Sequence, residues 1–223
     1  LQDLLEKDYC LQNPGFFYQC AYLPKSVIKP VSLENYSYFS IPKCYSLLSM
    51  QALNQAGILP IQNHSTLQLS GKQVMIGFLD TGIDYENPVF QNLDKTTRIA
   101  GIWDQTIQSG TPPESFDYGS HYTRDMINEA LASKDPHSLV PSVDNNGHGT
   151  FLASIAAGSG EPGAQFIGAA PESVIAVVKL KQAKQYLRDY YFIPDTAPAF
   201  QENDIMLGMR YLHLLAEKLK LPL

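Results

Sequence analysis

The run Val74-Met75-Ile76-Gly77-Phe78-Leu79 carries no polar side chain and is closed at once by Asp80-Thr81-Gly82. A short apolar run without alternation suits a strand buried on both faces, as strands of parallel sheets are. Residues 98–103 and 174–180 give two more candidate strands. Helical spacing fills the intervals. Met126, Ile127, Ala130 and Leu131 share one face of a helix predicted over 123–133, and residues 149–158 form a short helix of small residues. The clearest helix runs over 203–220, with Ile205, Met209, Leu212, Leu215 and Leu219 in register. A further one over 46–56 places Leu48, Ala52, Leu53 and Ala56 together and stops at Gly57, a natural residue just past a helix end. Strands alternating with helices imply βαβ crossovers, so the expected fold class is α/β: a mostly parallel sheet with helices on both faces, incomplete at its C-terminus.

The first 43 residues break this pattern. They are rich in Tyr, Phe and Pro, with β-like stretches at 16–22 and 26–31 interrupted by Pro24, Pro30 and Pro42. An N-terminal extension or propeptide remnant over 1–43, followed by the regular domain over 44–223, is the expected division. The polar stretch 104–122, with Pro112 and Pro113, predicts an inserted surface loop.

Composition removes several function classes. The 223 residues are 44% hydrophobic, enough for a sizeable core. The net charge of −6 comes from 22 acidic and 16 basic residues that are dispersed, so no clustered basic face points to nucleic acid. Polar residues, Gly or Pro interrupt every apolar run before it reaches membrane-spanning length. No secretory leader is visible and the chain opens on Leu1, which leaves its location unknown. Cys10, Cys20 and Cys44 are odd in number and lack CxxC spacing. They read as free thiols in a reducing compartment rather than as a disulfide framework or zinc site. No metal and no cofactor is implied.

Two motifs carry chemistry. Asp80-Thr81-Gly82-Ile83-Asp84 puts a carboxylate at the C-terminal end of a buried strand, where open α/β sheets place functional groups. Aspartic proteases use the same triplet but need two such carboxylates sharing a proton, and D-T-G occurs once here. The second motif is Asn145-Asn146-Gly147-His148-Gly149-Thr150, a histidine between glycines at the start of a small-residue helix. The glycines let backbone and substrate approach the imidazole. The other histidines (His64, His121, His137 and His213) have no such setting and are expected to be ordinary surface or packed side chains. Asp84 and Asp144 are expected at solvated turn positions. Ser159, between Gly158 and Gly160, follows the histidine helix instead of opening one after a strand, so a loop role is expected.

Asp80-Thr81-Gly82, then Gly147-His148-Gly149-Thr150, then Gly168-Ala169-Ala170-Pro171 before a strand, resembles the ordered signature of the subtilisin-like (subtilase, S8) serine proteases. The likeness covers about residues 44–223. Residues 97–99, Ile102-Trp103-Asp104-Gln105-Thr106 and 178–184 are similar to the clostridial branch, which includes the Csp-type germination proteases that cleave the pro-form of a cortex-degrading enzyme. The resemblance implies a polypeptide substrate and an Asp-His-Ser triad, with Asp80 and His148 as its first two members. It also requires an oxyanion asparagine and a G-T-S-x-A/S turn, neither of which is found in the 223 residues. The expectation is therefore a serine endopeptidase piece, inactive alone. The alternative is a pseudoprotease that keeps the fold as a protein-binding module.

Overall fold

The computed structural model describes residues 10–15, 18–45, 70–159 and 167–223. The helix expected over 46–56 lies outside them, as does His64. In chain order the elements are β1 (Cys10–Gly15), β2 (Tyr18–Tyr22), β3 (Cys44–Tyr45), β4 (Met75–Asp80), β5 (Ile99–Asp104), β6 (Ser120–Thr123), α1 (Arg124–Ala132), α2 (Pro136–Leu139), α3 (His148–Ala157), β7 (Val174–Lys179), α4 (Gln185–Tyr190), β8 (Phe200–Gln201) and α5 (Glu202–Leu219). They group into two compact units. One holds the described residues up to 45 with 181–210, and the other holds 70–180 with 211–223.

The larger unit is built on a four-stranded sheet in the order β4-β7-β5-β6. β7 lies parallel to β4 on one side and to β5 on the other, as the continuous apolar runs predict. β6 pairs antiparallel with β5, so the sheet is mixed. Residues 120–122 of β6 lie inside the stretch expected as a surface loop. The second half of that stretch differs in kind from a solvated insertion: Phe116 is buried, its ring 4.6 Å from that of fully buried Trp103, and the Trp103 indole N–H donates to the Tyr118 carbonyl at 3.0 Å. Gly119, at φ +79°, permits this, since a Cβ there would sit 2.3 Å from the indole nitrogen.

Helices cover both faces. Ile127 and Ala130 of α1 and Ala153 and Ala157 of α3 join Ile99, Ile102, Ile175 and Val177 in one buried cluster. On the other face the glycines Gly77 and Gly101 leave room for Leu212, Tyr211 and Leu215 of α5. Ile99 and Ile102 share a face although they are three apart, because the β5–β7 register shifts between Ile99 and Gly101. A bulge of this kind inverts the in–out alternation.

Two helix faces differ from their expected ones. Met126 is exposed, while Ile127 and Ala130 are fully buried. In α5 the buried stripe is Asp204, Leu207, Tyr211, Leu212 and Ala216, and Met209 and Leu219 face solvent. A buried aspartate and tyrosine moved the stripe away from the Leu/Met positions that hydropathy alone selects.

In the smaller unit β1 and β2 form an antiparallel pair, and Cys44 and Tyr45 pair with Gln201 and Phe200. The strand expected over 26–31 is replaced by turns, with the Val27 N–H bonded to the Pro24 carbonyl at 3.0 Å. Prolines at 24 and 30 remove ladder donors at both ends of that stretch. The Arg188 guanidinium, 5% exposed, donates to the carbonyls of Pro194 and Ala197 and ties down the loop before β8. Lys181 forms an ion pair with fully buried Asp204. No disulfide joins the cysteines among the described residues. Burial, then the carboxylates of Asp204 and Glu202, push the Cys20 thiol up to about 11, so it is protonated and unreactive at neutral pH.

Candidate active site

β4 delivers Asp80 as its last residue, 6% exposed, with the Leu180 N–H bonded to its main-chain oxygen at 2.8 Å. The chain then turns at Gly82, whose φ of +124° is open to glycine and strained for other residues. Opposite this turn, Gly147 at φ +81° precedes α3 and His148 is the helix's first residue. Gly149 fixes how close the two segments come. A Cβ at that position would lie 2.2 Å from the Gly82 carbonyl oxygen and 3.2 Å from the Asp80 Cβ. Only a glycine lets the helix start against the turn.

The approach brings the two candidate residues together. His148 Nδ1 lies 2.8 Å from Asp80 Oδ1 and 3.0 Å from Oδ2. The Thr81 N–H donates to the same Oδ1 at 2.7 Å. A carboxylate can only accept, so Nδ1 carries the proton in this contact and the tautomer is set, leaving Nε2 as the basic nitrogen. The two side chains are 8% and 20% exposed, which shields the pair from water while the imidazole keeps a route to it.

Asp144 corrects an expectation. It is not a solvated turn residue: its carboxylate accepts from the Thr81 and Thr150 hydroxyls at 2.8 and 2.7 Å and from the Asn146, Gly147 and Thr150 N–H groups at 3.2, 2.9 and 2.9 Å. Burial pushes this carboxyl up, but the bonds from Thr150, Thr81 and Gly147 outweigh it and hold it below the ordinary 3.8. Asp84 is exposed and accepts from the Glu86 N–H at 3.2 Å, in keeping with its expected turn position.

The third motif closes the other end of α3. Gly158 N–H bonds to the Ser154 carbonyl at 2.8 Å, Ala169 N–H to Ile155 at 2.8 Å and Ala170 N–H to Ala156 at 2.7 Å. The Arg98 guanidinium donates to the remaining carbonyl, that of Ala157, and to Val89 and Ser173 at 2.7 and 2.9 Å. The last four carbonyls, which a helix cannot satisfy internally, thus all have partners. G-A-A-P is a helix stop that leads into β7.

Ser159 donates its hydroxyl to the Val89 carbonyl at 3.0 Å, a loop tie rather than a nucleophile. His137 is half-exposed, 2.9 Å from Glu86, and His213 pairs with Glu217 on the surface of α5. His121 is held below its usual range by burial and then by Lys218. Asp104 escaped the sequence reading as a site-adjacent group. It is fully buried at the end of β5, accepts from Ser142 Oγ at 2.7 Å and lies 3.4 Å from Lys179 Nζ. Lys179 pairs in register with both Asp80 and Asp104, so the C-terminal edge of the sheet reads carboxylate, ammonium, carboxylate. Its signal was the W-D-Q-T segment, which carried no spacing that names a role. Among the described residues no group of three or more His, Cys, Asp and Glu is placed to hold a metal ion, and no helix is long and apolar enough to cross a membrane.

Residues 71–201, which include the Asp80 turn and all of α3, match the family model described as Peptidase_S8, Subtilase family. The chain belongs to the subtilase family. Among relatives of this subtilase, the subtilisin-like protease SBT2.2 of Arabidopsis thaliana is 30% identical over half of the chain. SBT3.7 of the same plant is 28% identical over 84% of it. The CspB protease of Clostridium perfringens superposes on 74% of the chain with a TM-score of 0.59 and 32% identity. The subtilase chain spans 15% and 23% of the two plant proteins and 30% of the CspB chain.

Proposed function

We propose that this chain supplies Asp80 and His148, two of the three members of the catalytic triad of a serine endopeptidase. The observation that carries the reading is the contact of His148 Nδ1 with both carboxylate oxygens, at 2.8 and 3.0 Å. In the reaction Asp80 holds the imidazole by its Nδ1–H and stabilises the imidazolium once it forms. His148 Nε2 takes the proton from a serine hydroxyl as it attacks the peptide carbonyl, then gives it to the leaving amine. The serine and the oxyanion asparagine are to be supplied from outside these 223 residues. In subtilisin, losing the serine or the histidine alone costs about 2 × 10⁶ in kcat, so the chain by itself is proposed to be inactive. The substrate is a polypeptide. The likeness to the CspB protease favours the clostridial Csp branch and, with it, cleavage of a pro-enzyme in spore germination.

Labelling by a fluorophosphonate probe tests the reading, run on this chain and on the longer protein translated through the codons after Leu223. The longer protein is expected to label and to lose labelling on His148→Ala, while the 223-residue chain stays unlabelled. Labelling of the short chain, or labelling that survives His148→Ala, contradicts the proposal.

A further inference from the structure

We infer that Asp144 is the positioning residue of the Asp80–His148 pair, acting through Thr81 and Thr150 to hold the turn after β4 against the start of α3. The inference rests on the reading of Asp80 and His148 as a catalytic pair. Its basis is the direction of the hydrogen bonds. Asp144 Oδ1 takes the Thr81 hydroxyl at 2.8 Å with the N–H groups of Asn146 and Gly147, and Oδ2 takes both the N–H and the hydroxyl of Thr150. Every partner is a donor, and a carboxylate is the one side chain of this size that offers two acceptor-only oxygens. The two threonine oxygens then accept in their turn: Thr81 Oγ1 from the Gly149 N–H at 3.0 Å, and Thr150 Oγ1 from the Asp84 N–H at 2.9 Å. The turn and the helix are therefore cross-linked in both directions through one carboxylate.

The Thr81 hydroxyl has a single proton and two acceptors within reach, Asp144 Oδ1 at 2.8 Å and Asp80 Oδ1 at 3.2 Å. Asp144 draws that proton away from Asp80. Asp144 thus acts on the pair without touching it, by setting the spacing of the two segments that carry it.

The test is NMR of the His148 Nδ1 proton and its exchange with water in the 223-residue chain. Asp144→Asn places an amide N–H₂ against donors and is expected to speed exchange about tenfold, the equivalent of one lost hydrogen bond. Thr81→Val, which removes the hydroxyl without changing charge, is expected to act in the same direction, and Thr81→Ser to restore the slow exchange. A folded Asp144→Asn chain with unchanged exchange overturns the inference. If that variant does not fold, unchanged exchange in Thr81→Val does so instead. Asp80→Asn separates the two levels. If it abolishes the slow proton while Asp144→Asn and Thr81→Val leave it intact, only the positioning role fails. If the slow proton does not depend on Asp80, the catalytic-pair reading fails and takes the positioning role with it.

Discussion

At its N-terminus α3 meets the carboxylate of Asp144, and at its C-terminus the guanidinium of Arg98. Both charges have the sign that the helix dipole favours at their end. The ends are otherwise unlike. Asp144 is half-buried, and its partners come from residues 146–150 with one cross-link, Thr81. Arg98 is 7% exposed and reaches carbonyls contributed by Val89, Ala157 and Ser173, from three separate segments. The difference separates two tasks. A ten-residue helix is too short to be stable alone, so the buried end anchors it in the fold. The half-exposed end sets the position of one imidazole.

The largest effect is expected where the N-terminal end has no slack. Gly149→Ala gains about 1 kcal/mol of helix propensity. It also drives a Cβ to 2.2 Å from the Gly82 carbonyl, and overpacking against backbone costs about 3 kcal/mol or more. The net loss in urea unfolding should be about 2 kcal/mol or more, with the slow His148 proton lost as well. A stabilised variant would show that the turn and the helix do not meet this closely.

Arg98→Met sharpens the comparison from the other end. It takes the guanidinium donor from the Ala157 and Ser173 carbonyls, in sites that water reaches poorly, while Val89 keeps its bonds from Ser159, at an expected cost of about 2 kcal/mol. Exchange of the His148 Nδ1 proton should stay as in the parent chain under conditions where both are folded. A large change there would mean that the two ends are not separate devices.

How much of this could be read beforehand depends on what each feature is made of. β5 and β7 are buried on both faces and β4, at the sheet edge, is partly buried along its length, so their apolar runs announced them, and the glycine-flanked His148 stood out by residue type. β6 did not, because Ser120-His121-Tyr122-Thr123 looks polar although Ser120 and Tyr122 are buried. Its burial depends on pairing with β5 and on the Trp103 cluster, which are long-range facts. Asp144 and Arg98 were silent for the same reason. A carboxylate in a turn and an arginine before a strand are ordinary in sequence, and only the fold supplies five donors to one and three carbonyls to the other.

A smaller effect follows from acid. The Asp144 carboxyl is held below 3.8 in the folded chain, so the protein binds fewer protons at this site folded than unfolded. Its contribution is complete above that ordinary value and is lost as pH falls through the lowered one. As pH falls below 3.8, thermal melts of the parent chain should therefore converge progressively on those of Asp144→Asn, while above 3.8 the variant should be less stable by about 1 kcal/mol, the size of a lost helix cap. Asp84→Asn, at an exposed turn position, should leave the acid limb as it is. A parallel shift of the two curves at every pH would remove Asp144 from the linkage.

The smallest expected effect calibrates the rest. Thr123 caps α1 in the ordinary way, accepting one N–H, that of Met126, at 3.4 Å. A bond that long is weak, so Thr123→Ala should cost about 0.5 kcal/mol, the low end for a cap. It should not move the His148 proton, since α1 packs against β5 and β6 and the Thr123 bond stays within the first turn of its own helix. The ratio of this loss to that of Asp144→Asn measures how far Asp144 exceeds a helix cap. If the two losses are equal and neither touches His148, the N-terminal end of α3 is capped like any other helix and its contrast with the Arg98 end reduces to burial. If Asp144→Asn costs more and also frees the Nδ1 proton, the surplus belongs to the cross-link through Thr81, the one bond of the five that leaves the local turn.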